Sequence, residues 1–446
     1  MRRVAFLLAL TAAVAVASAT ARALTLEECL AIARKNAPSI RISEAGVSRA
    51  EQAIREARAA LAPTFRLDGS AIQRSESQKF IIPIPGAPGP AVVKTGSATN
   101  IDMRAQARLP IDASGRDRAL VRAAEAARRA QQESRAEADA DLALRVSQAF
   151  YRAIAARRLE DAAGEAVQAA GARRRLAAAQ VRAGVAQRLD SLQARVDLFQ
   201  RESALIRAHE AVRTARVELE TVIGATIDST EALAPPGPPD SAIPDPAAAE
   251  AAALRNRPEL RSYDEQLREN EQRTRAALAQ RGPALGVSGT AQYLGPNRQE
   301  EYFNFQDPGL KTYNLWAGVD VSWPIFDGGL ASARAGELRA DHEAIAARRR
   351  EAELDVRRNV DSSLSDLRVS LAIWQTDSSR VTAAREALHL AEAGYRGGTT
   401  TASQVRDAES ALADARAQEA QSLLDTWSAR AALERAIGPA TSTGGP

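Results

Sequence analysis

The chain has 446 residues, a formal net charge of +3, 26% charged residues and a single cysteine. One cysteine excludes an intrachain disulfide. Arg2, Arg3 and Arg22 account for the whole net charge and lie in an N-terminal leader, so the rest of the chain carries no basic footprint for a nucleic acid.

The leader spans 1–23. Arg2 and Arg3 form its basic start, "VAFLLALTAAVAVA" its apolar centre, and "ARA" at 21–23 a small-x-small cleavage pattern. It reads as a secretory signal, with the mature chain starting at Leu24. Cys29 follows Glu27 and Glu28, which suits a packed helix residue rather than a lipid anchor. No later apolar run reaches the roughly 20 residues of a membrane-spanning helix. Export without such a helix leaves two readings: a soluble protein outside the cytoplasm, or a protein that spans an outer membrane with β-strands.

The first repeat is expected over 24–228. A short helix covers about 25–36, with Thr25 and Glu28 as a capping box. Asn36-Ala37-Pro38 ends it, and a second helix runs to about Leu61. A β-hairpin follows over 62–112, its partners lying at 64–75 and 99–111. In the second of these, Ile101, Met103, Ala105, Ala107 and Leu109 alternate with Asn100, Asp102, Arg104, Gln106 and Arg108, the period of a strand. The segment between them, "KFIIPIPGAPGPAVVKTG", reads as a Pro/Gly-rich loop. No proline occurs between Pro110 and Pro235, so a long helix over about 114–183 is expected, roughly 100 Å at 1.5 Å per residue. Gly184 breaks it, and another helix follows. There Val185, Leu189, Leu192, Val196, Phe199, Ser203 and Ile206 alternate spacings of four and three, a coiled-coil seam.

A Pro-rich linker covers 229–246, and the pattern then starts again over 247–438. "RKNAPSIR" matches "LRNRPELR" and "LAPTFRLDGS" matches "RGPALGVSGT", each at an offset of 220. "LPIDASG" matches "WPIFDGG", "VRAGVAQ" matches "YRGGTTT", and "VIGA" matches "AIGP", each at an offset of 214. Five landmarks in order at two fixed offsets mark a duplication. The second hairpin falls at 283–326. Its strand "YNLWAGVDVSW" sets Tyr313, Leu315, Ala317, Val319, Val321 and Trp323 against Asn314, Gly318, Asp320 and Ser322. Residues 439–446 read as a flexible tail.

Apolar-out, polar-in strands fit a membrane barrel and a half-buried soluble sheet alike. Four strands cannot close a barrel, since the smallest have about eight. An open sheet in hydrocarbon would leave unpaired edges. A membrane reading therefore requires self-association, and three copies supply twelve strands. The alternative is a secreted periplasmic coiled-coil structural or adaptor protein with a soluble β-domain.

The Asn-x-Pro pairs at 36–38 and 256–258, the strand-to-helix corners, the Gly breaks and the duplication together resemble the TolC family of outer-membrane channel proteins, over about 24–438. The resemblance implies a mixed α/β membrane protein. A long α-helical coiled-coil barrel would stand in the periplasm, and four β-strands per chain would contribute to a homotrimeric twelve-stranded β-barrel in outer-membrane lipid. It implies an exit duct of a tripartite efflux pump or type I secretion system, working with a periplasmic adaptor (membrane fusion) protein and an inner-membrane transporter. Drugs, metal ions, other small molecules and secreted proteins all remain open as cargo.

The corners "PIDASG" and "PIFDGG" read as structural. Asp112 or Ser114, and Asp327, are placed to cap the next helix. Trp316, Trp323, Tyr293, Tyr302, Phe303, Phe305 and Tyr313 are expected to form an interfacial belt. His209, His342 and His389 lack ligand spacing, and no phosphate loop or nucleophile–base pair is present. The chain reads as a non-enzyme without cofactor or metal. The turns at Gly184 and Gly398 become the periplasmic tip, where the family closes its tube. By position, the resemblance makes Asp190 and Tyr395 the partners of a gate link and Asp407 a constriction acid. Thr400 stands where a gate arginine is expected, and Gln404 where another ring acid is expected.

Overall fold

The two repeats build the same helices to the residue. In this computed structural model, which describes residues 23–75, 78–83, 85–86, 88–89, 91–95, 99–227, 232–295, 313–397 and 399–438, α1 (Leu26–Asn36) and α5 (Pro246–Asn256) each have 11 residues. Helices α2 (Pro38–Ala59) and α6 (Pro258–Ala279) have 22 each, and α3 (Arg116–Arg182) and α7 (Leu330–Arg396) have 67 each. Helices α4 (Arg188–Ile223) and α8 (Ala402–Ile437) have 36 each. The six-residue change of offset therefore lies in the hairpins. Residues 1–22 and the expected tail fall outside the described residues.

The chain divides into two units, each drawing on both repeats. The first comprises 1–45, 133–260 and 350–446, the second 46–132 and 261–349.

The core of the first unit gathers around Cys29, Val146, Phe150, Leu219, Ile223 and Trp427, all buried. Cys29 is fully enclosed on α1, as a packed helix residue. The capping box starts α1: the Thr25 N–H donates to Glu28 Oε2 at 3.0 Å, and the Glu28 N–H donates to Thr25 Oγ1 at 3.3 Å. Pro38 excludes the helical conformation at Ala37, which takes φ −62° and ψ 128°. Arg257 before Pro258 does the same at φ −65° and ψ 118°.

These kinks explain why glycine ends the neighbouring helices. Gly224 caps α4 at φ +69°, and a Cβ there would lie 3.1 Å from the Asn36 carbonyl oxygen. Gly438 ends α8 at φ +86°, where a Cβ would lie 3.2 Å from the Asn256 carbonyl carbon. The "VIGA/AIGP" and Asn-x-Pro landmarks are thus two sides of one contact, made twice. After α4 the chain returns to its start: Leu24 N–H donates to the Ala232 carbonyl at 2.8 Å, and Ala234 N–H to the Leu24 carbonyl at 2.9 Å.

The second unit holds a four-stranded antiparallel sheet in the order β1-β4-β5-β6. Its strands are β1 (Thr64–Gln73), β4 (Thr99–Ile111), β5 (Ala284–Gly295) and β6 (Tyr313–Ser322). The segment expected as an irregular loop instead contains a second hairpin, β2 (Gln78–Ile82) against β3 (Ala91–Thr95). Its β-branched and aromatic runs, "KFII" and "AVVKT", outweigh the Pro/Gly signal, which is confined to the turn. The matching segment of the second repeat, with Tyr302, Phe303 and Phe305, lies outside the described residues.

Register joins the repeats. Strand β4 pairs with β5 so that Met103 faces Tyr293, Ala105 faces Ala291 and Leu109 faces Val287. Across the outer pairs, Leu67 faces Ala105 and Val287 faces Val319. Directly paired residues share a face, so one apolar face runs across all four strands. The opposite face carries Arg66, Asp68, Arg104, Gln106, Ser288, Thr290 and Asp320, and there Asp102 accepts from Gln292 at 2.9 Å. Trp316, expected in an aromatic belt, stands on this polar face opposite Thr290. The apolar face is uncovered: Phe65 and Leu315 are each 82% exposed and Val319 is 69% exposed.

Each corner is a glycine turn with an aspartate cap. Asp112, rather than Ser114, accepts from the Asp117 and Arg118 N–H groups at 3.3 and 3.0 Å, beside Gly115 at φ +75°. Asp327 accepts from the Gly329 and Ala331 N–H groups, both at 2.9 Å. Those two bonds, with Ala331 the larger influence, hold its carboxyl below the ordinary aspartate range.

Two predictions follow from these contacts. Gly224→Ala is expected to lower the thermal midpoint through a loss on the order of 1–3 kcal/mol, whereas Gly164→Ala, mid-helix with open space around it, gains up to about 1 kcal/mol; equal effects would reject the close-approach account. The Asp327 carboxyl titrates lower when folded, so its contribution is present above the unfolded value of about 4 and is lost as pH falls through the folded value. Asp327→Asn should therefore lower the midpoint at neutral pH, with the gap to wild type closing in acid; a pH-independent gap would refute it.

Candidate functional site

The two helix-reversing turns in the first unit carry the residues singled out in the sequence. In the first, Gly184 takes φ +75°, a conformation open to glycine without strain. The Gly184 N–H donates to the Val181 carbonyl at 3.1 Å and the Val185 N–H to the Gln180 carbonyl at 3.0 Å, closing α3. Helix α4 then starts at once, because Asp190 accepts from the Gln187 N–H at 3.1 Å. The Asp190 carboxylate is thus engaged in its own helix cap.

The described part of the second turn rests on threonines. The Thr399 N–H and hydroxyl both donate to the Gly394 carbonyl, at 2.9 and 3.1 Å, and the Thr400 N–H reaches the same oxygen at 3.3 Å. A Cβ on Gly394 would collide with the Thr400 hydroxyl, so this glycine, unnoticed in the sequence, admits the turn. Gly398 lies outside the described residues. Helix α8 starts with a capping box in which the Thr401 N–H donates to Gln404 Oε1 at 2.9 Å and the Gln404 N–H to Thr401 Oγ1 at 3.4 Å. Gln404 therefore has a local structural task where the resemblance implied a ring acid.

Asp190 and Tyr395 are not brought together within the chain. The Tyr395 hydroxyl accepts instead from Gln180 Nε2 at 3.5 Å, a link from α7 back to α3. Asp407 is exposed on α8, and among the described residues no hydrogen bond or ion pair is made by its carboxylate. Beside it Arg406 donates to Gln193 at 3.5 Å, joining α8 to α4.

Farther from the turns lies an ionic layer that sequence reasoning missed. Arg173 on α3 pairs with Asp197 on α4 at 3.2 Å and with Glu409 on α8, while Arg201 pairs with Asp197 at 3.4 Å. Arg416 pairs with Glu165 beside them. Arg173, Arg201, Glu409, Glu165 and Arg416 line a cleft of about 240 Å³ whose apolar wall includes Leu388 and Leu412. Burial pushes the Glu409 carboxyl up; Arg173 pulls it back most strongly, Asp197 and Glu392 push it further up, and Arg201 lowers it. Only the i, i+4 spacing of Asp197 and Arg201 was visible in the sequence.

The expected coiled-coil seam is present as a row but has no partner among the described residues. Val185, Leu189, Leu192, Val196, Phe199 and Ile206 are each at least 50% exposed. Helix α7 leaves a similar row, with Val369, Ile373 and Leu390 exposed. Among the described residues, no helix is long and apolar enough to cross a membrane, and no group of three His, Cys, Asp or Glu is placed to hold a metal.

The chain resembles known proteins along most of its length. A family model described as "Outer membrane efflux protein" matches residues 29–225 and 251–439, one match for each repeat. Outer membrane protein TolC of Salmonella enteritidis is 26% identical over 136 residues, which span 30% of this chain and 27% of that protein. The crystal structure of the Campylobacter jejuni CmeC outer membrane channel superposes with a TM-score of 0.74 at 15% identity, covering 93% of this chain and 85% of that one. The outer membrane protein VceC of Vibrio cholerae gives a TM-score of 0.71 at 18% identity, covering 93% and 96%. With matches that together take in both repeats, the chain belongs to the outer membrane efflux protein family and has the duplicated, TolC-like fold of these outer-membrane channels.

Proposed function

We propose that three copies of this chain form a channel across the outer membrane, serving as the exit duct of a tripartite efflux pump or a type I secretion system. The observation that carries this reading is the uncovered apolar face of the β1-β4-β5-β6 sheet. Large apolar surfaces of this kind mark a membrane or partner contact. Strands β1 and β6 each pair on one side only among the described residues, and lipid tolerates no open edge. Three copies would pair these edges into a twelve-stranded barrel, with the polar face inward. The exposed rows on α4 and α7 suit helix contacts between copies. The polypeptide performs no chemistry; energy comes from an inner-membrane transporter, reached through a periplasmic adaptor.

Gating falls to the tip. The Gln180–Tyr395 bond and the Arg173–Glu409 pair tie the α3/α4 hairpin to the α7/α8 hairpin, and opening the tube requires these ties to loosen. Asp190 is the candidate partner of Tyr395 across neighbouring copies, and Asp407 the candidate for an acidic ring on the trimer axis.

The channel reading is tested by reconstitution in planar bilayers. Purified protein should form discrete single-channel steps, and Asp190→Ala and Tyr395→Phe should raise conductance. A mature protein that stays monomeric and water-soluble without detergent would overturn the channel, while unchanged conductance in both variants would overturn the gate link alone. Asp407→Asn should weaken block by multivalent cations, since it removes a ring of like charges; identical block in wild type and variant would reject the ring.

A further inference from the structure

In the second unit, α6 and α7 lie side by side and are fastened at two levels. Arg349 donates to the Asp264 carboxylate at 2.6 Å, and Arg334 donates to the Gln280 amide oxygen at 2.9 Å. Along α6 these fastenings are roughly 24 Å apart. Between them the two helices leave a cleft of about 240 Å³. Antiparallel pairing at the two fastenings puts Ala344 level with Asn270 and Asp341 level with Arg273. The Ala344 methyl is too short to fill the space or to reach across it. Asn270 lines the cleft, is only 6% exposed, and its amide oxygen has no hydrogen-bond partner. Buried polar atoms are nearly always bonded, and a buried acceptor left unbonded carries its full desolvation penalty. The donors near by are committed: the Gln266 amide donates to the Ser262 hydroxyl at 3.2 Å, and Arg273 pairs with Glu269 at 2.6 Å. Asp341 also lines the cleft, is exposed, and makes no ion pair among the described residues.

We propose that this cleft is a binding site for a small amphipathic amine. Its primary ammonium donates to the Asn270 amide oxygen and the Asp341 carboxylate, and its apolar body lies against Leu338 and Ile345, which line the same cleft. An ammonium has three donors and no acceptor, so it suits an unbonded acceptor beside an unpaired carboxylate. The balance of charge favours a cation at this end, where Glu269 and Asp341 stand against the single guanidinium of Arg273. Arg348 lies toward the opposite end, level with Gln266. Charge-assisted hydrogen bonds are about twice as strong as neutral ones, which separates an ammonium from an alcohol of the same shape. The site belongs to α6 and α7 and does not rest on the channel reading.

The test uses the purified full chain in detergent, with benzylammonium as the probe and benzyl alcohol and benzoate as its neutral and anionic counterparts. Binding is read by ligand-observed NMR and by the thermal midpoint. Benzylammonium should bind at least about tenfold more tightly than benzyl alcohol, with benzoate weaker still. Asp341→Asn should remove that preference while benzyl alcohol binds as before. Asn270→Leu keeps the shape of the side chain and removes the buried acceptor. Without probe its midpoint should lie above that of wild type, and the rise that benzylammonium gives wild type should vanish. Equal binding of the three probes overturns the proposal, as does tightest binding of benzoate, which would assign the cleft to Arg348. A probe-induced rise that persists in Asn270→Leu also overturns it. So does a lower probe-free midpoint in the folded variant, which would show the amide already satisfied by its own chain. Should Asn270→Leu fail to fold, Asp341→Asn decides alone, because Asp341 is exposed: an unchanged preference for benzylammonium there overturns the site.

Discussion

An apolar sheet face that no described residue covers needs a cover from elsewhere. Phe65, Leu67, Leu315, Val319 and Val321 are all well exposed on one face, and β1 and β6 each pair on one side only among the described residues. Water penalises the first and hydrocarbon the second. Lipid against the face and further strands against the edges remove both penalties together. The helices share the condition at smaller scale, since α4 and α7 each present an apolar row to the outside. Under the channel reading, the alternation of the strands and the proline-free length of the helices would follow from completion by other copies.

Duplication meets this condition economically. One unit of sequence yields two sets of 11-, 22-, 67- and 36-residue helices, and a single antiparallel contact, β4 with β5, joins the two hairpins into one sheet. The joints are repeated as well. Each short helix breaks at a pre-proline residue, and the glycine ending α4 or α8 lies against that break. Where the copies diverge, their tasks diverge. At the turns, the first shows Gly184 at positive φ, and the described part of the second shows a hydrogen-bonded threonine pair over Gly394.

The region near the turns combines weak local bonds with a stronger layer farther in. Caps at Asp190 and Gln404 define where helices start, while Arg173, Asp197, Arg201 and Glu409 tie three helices together. Half-buried ion pairs of this kind are costly to break one partner at a time.

Sequence periodicity and spacing determined a large share of this protein. Helix extents, the alternating faces of β4 and β6, the duplication, the capping box at Thr25 and the family resemblance were all legible, because each is recorded in the order and spacing of residue types along the chain. The β2–β3 hairpin was not, since its turn-rich composition masked two short strands. Tertiary structure alone decided the rest. It chose Asp112 over Ser114 as cap, gave Gln404 a helix cap, set Tyr395 beside Gln180 within the chain, and left the α4 row exposed among the described residues. Partner choice is non-local: Arg173 and Glu409 are 236 positions apart in the chain, and no period or spacing records that a fold brings them within an ion pair of each other.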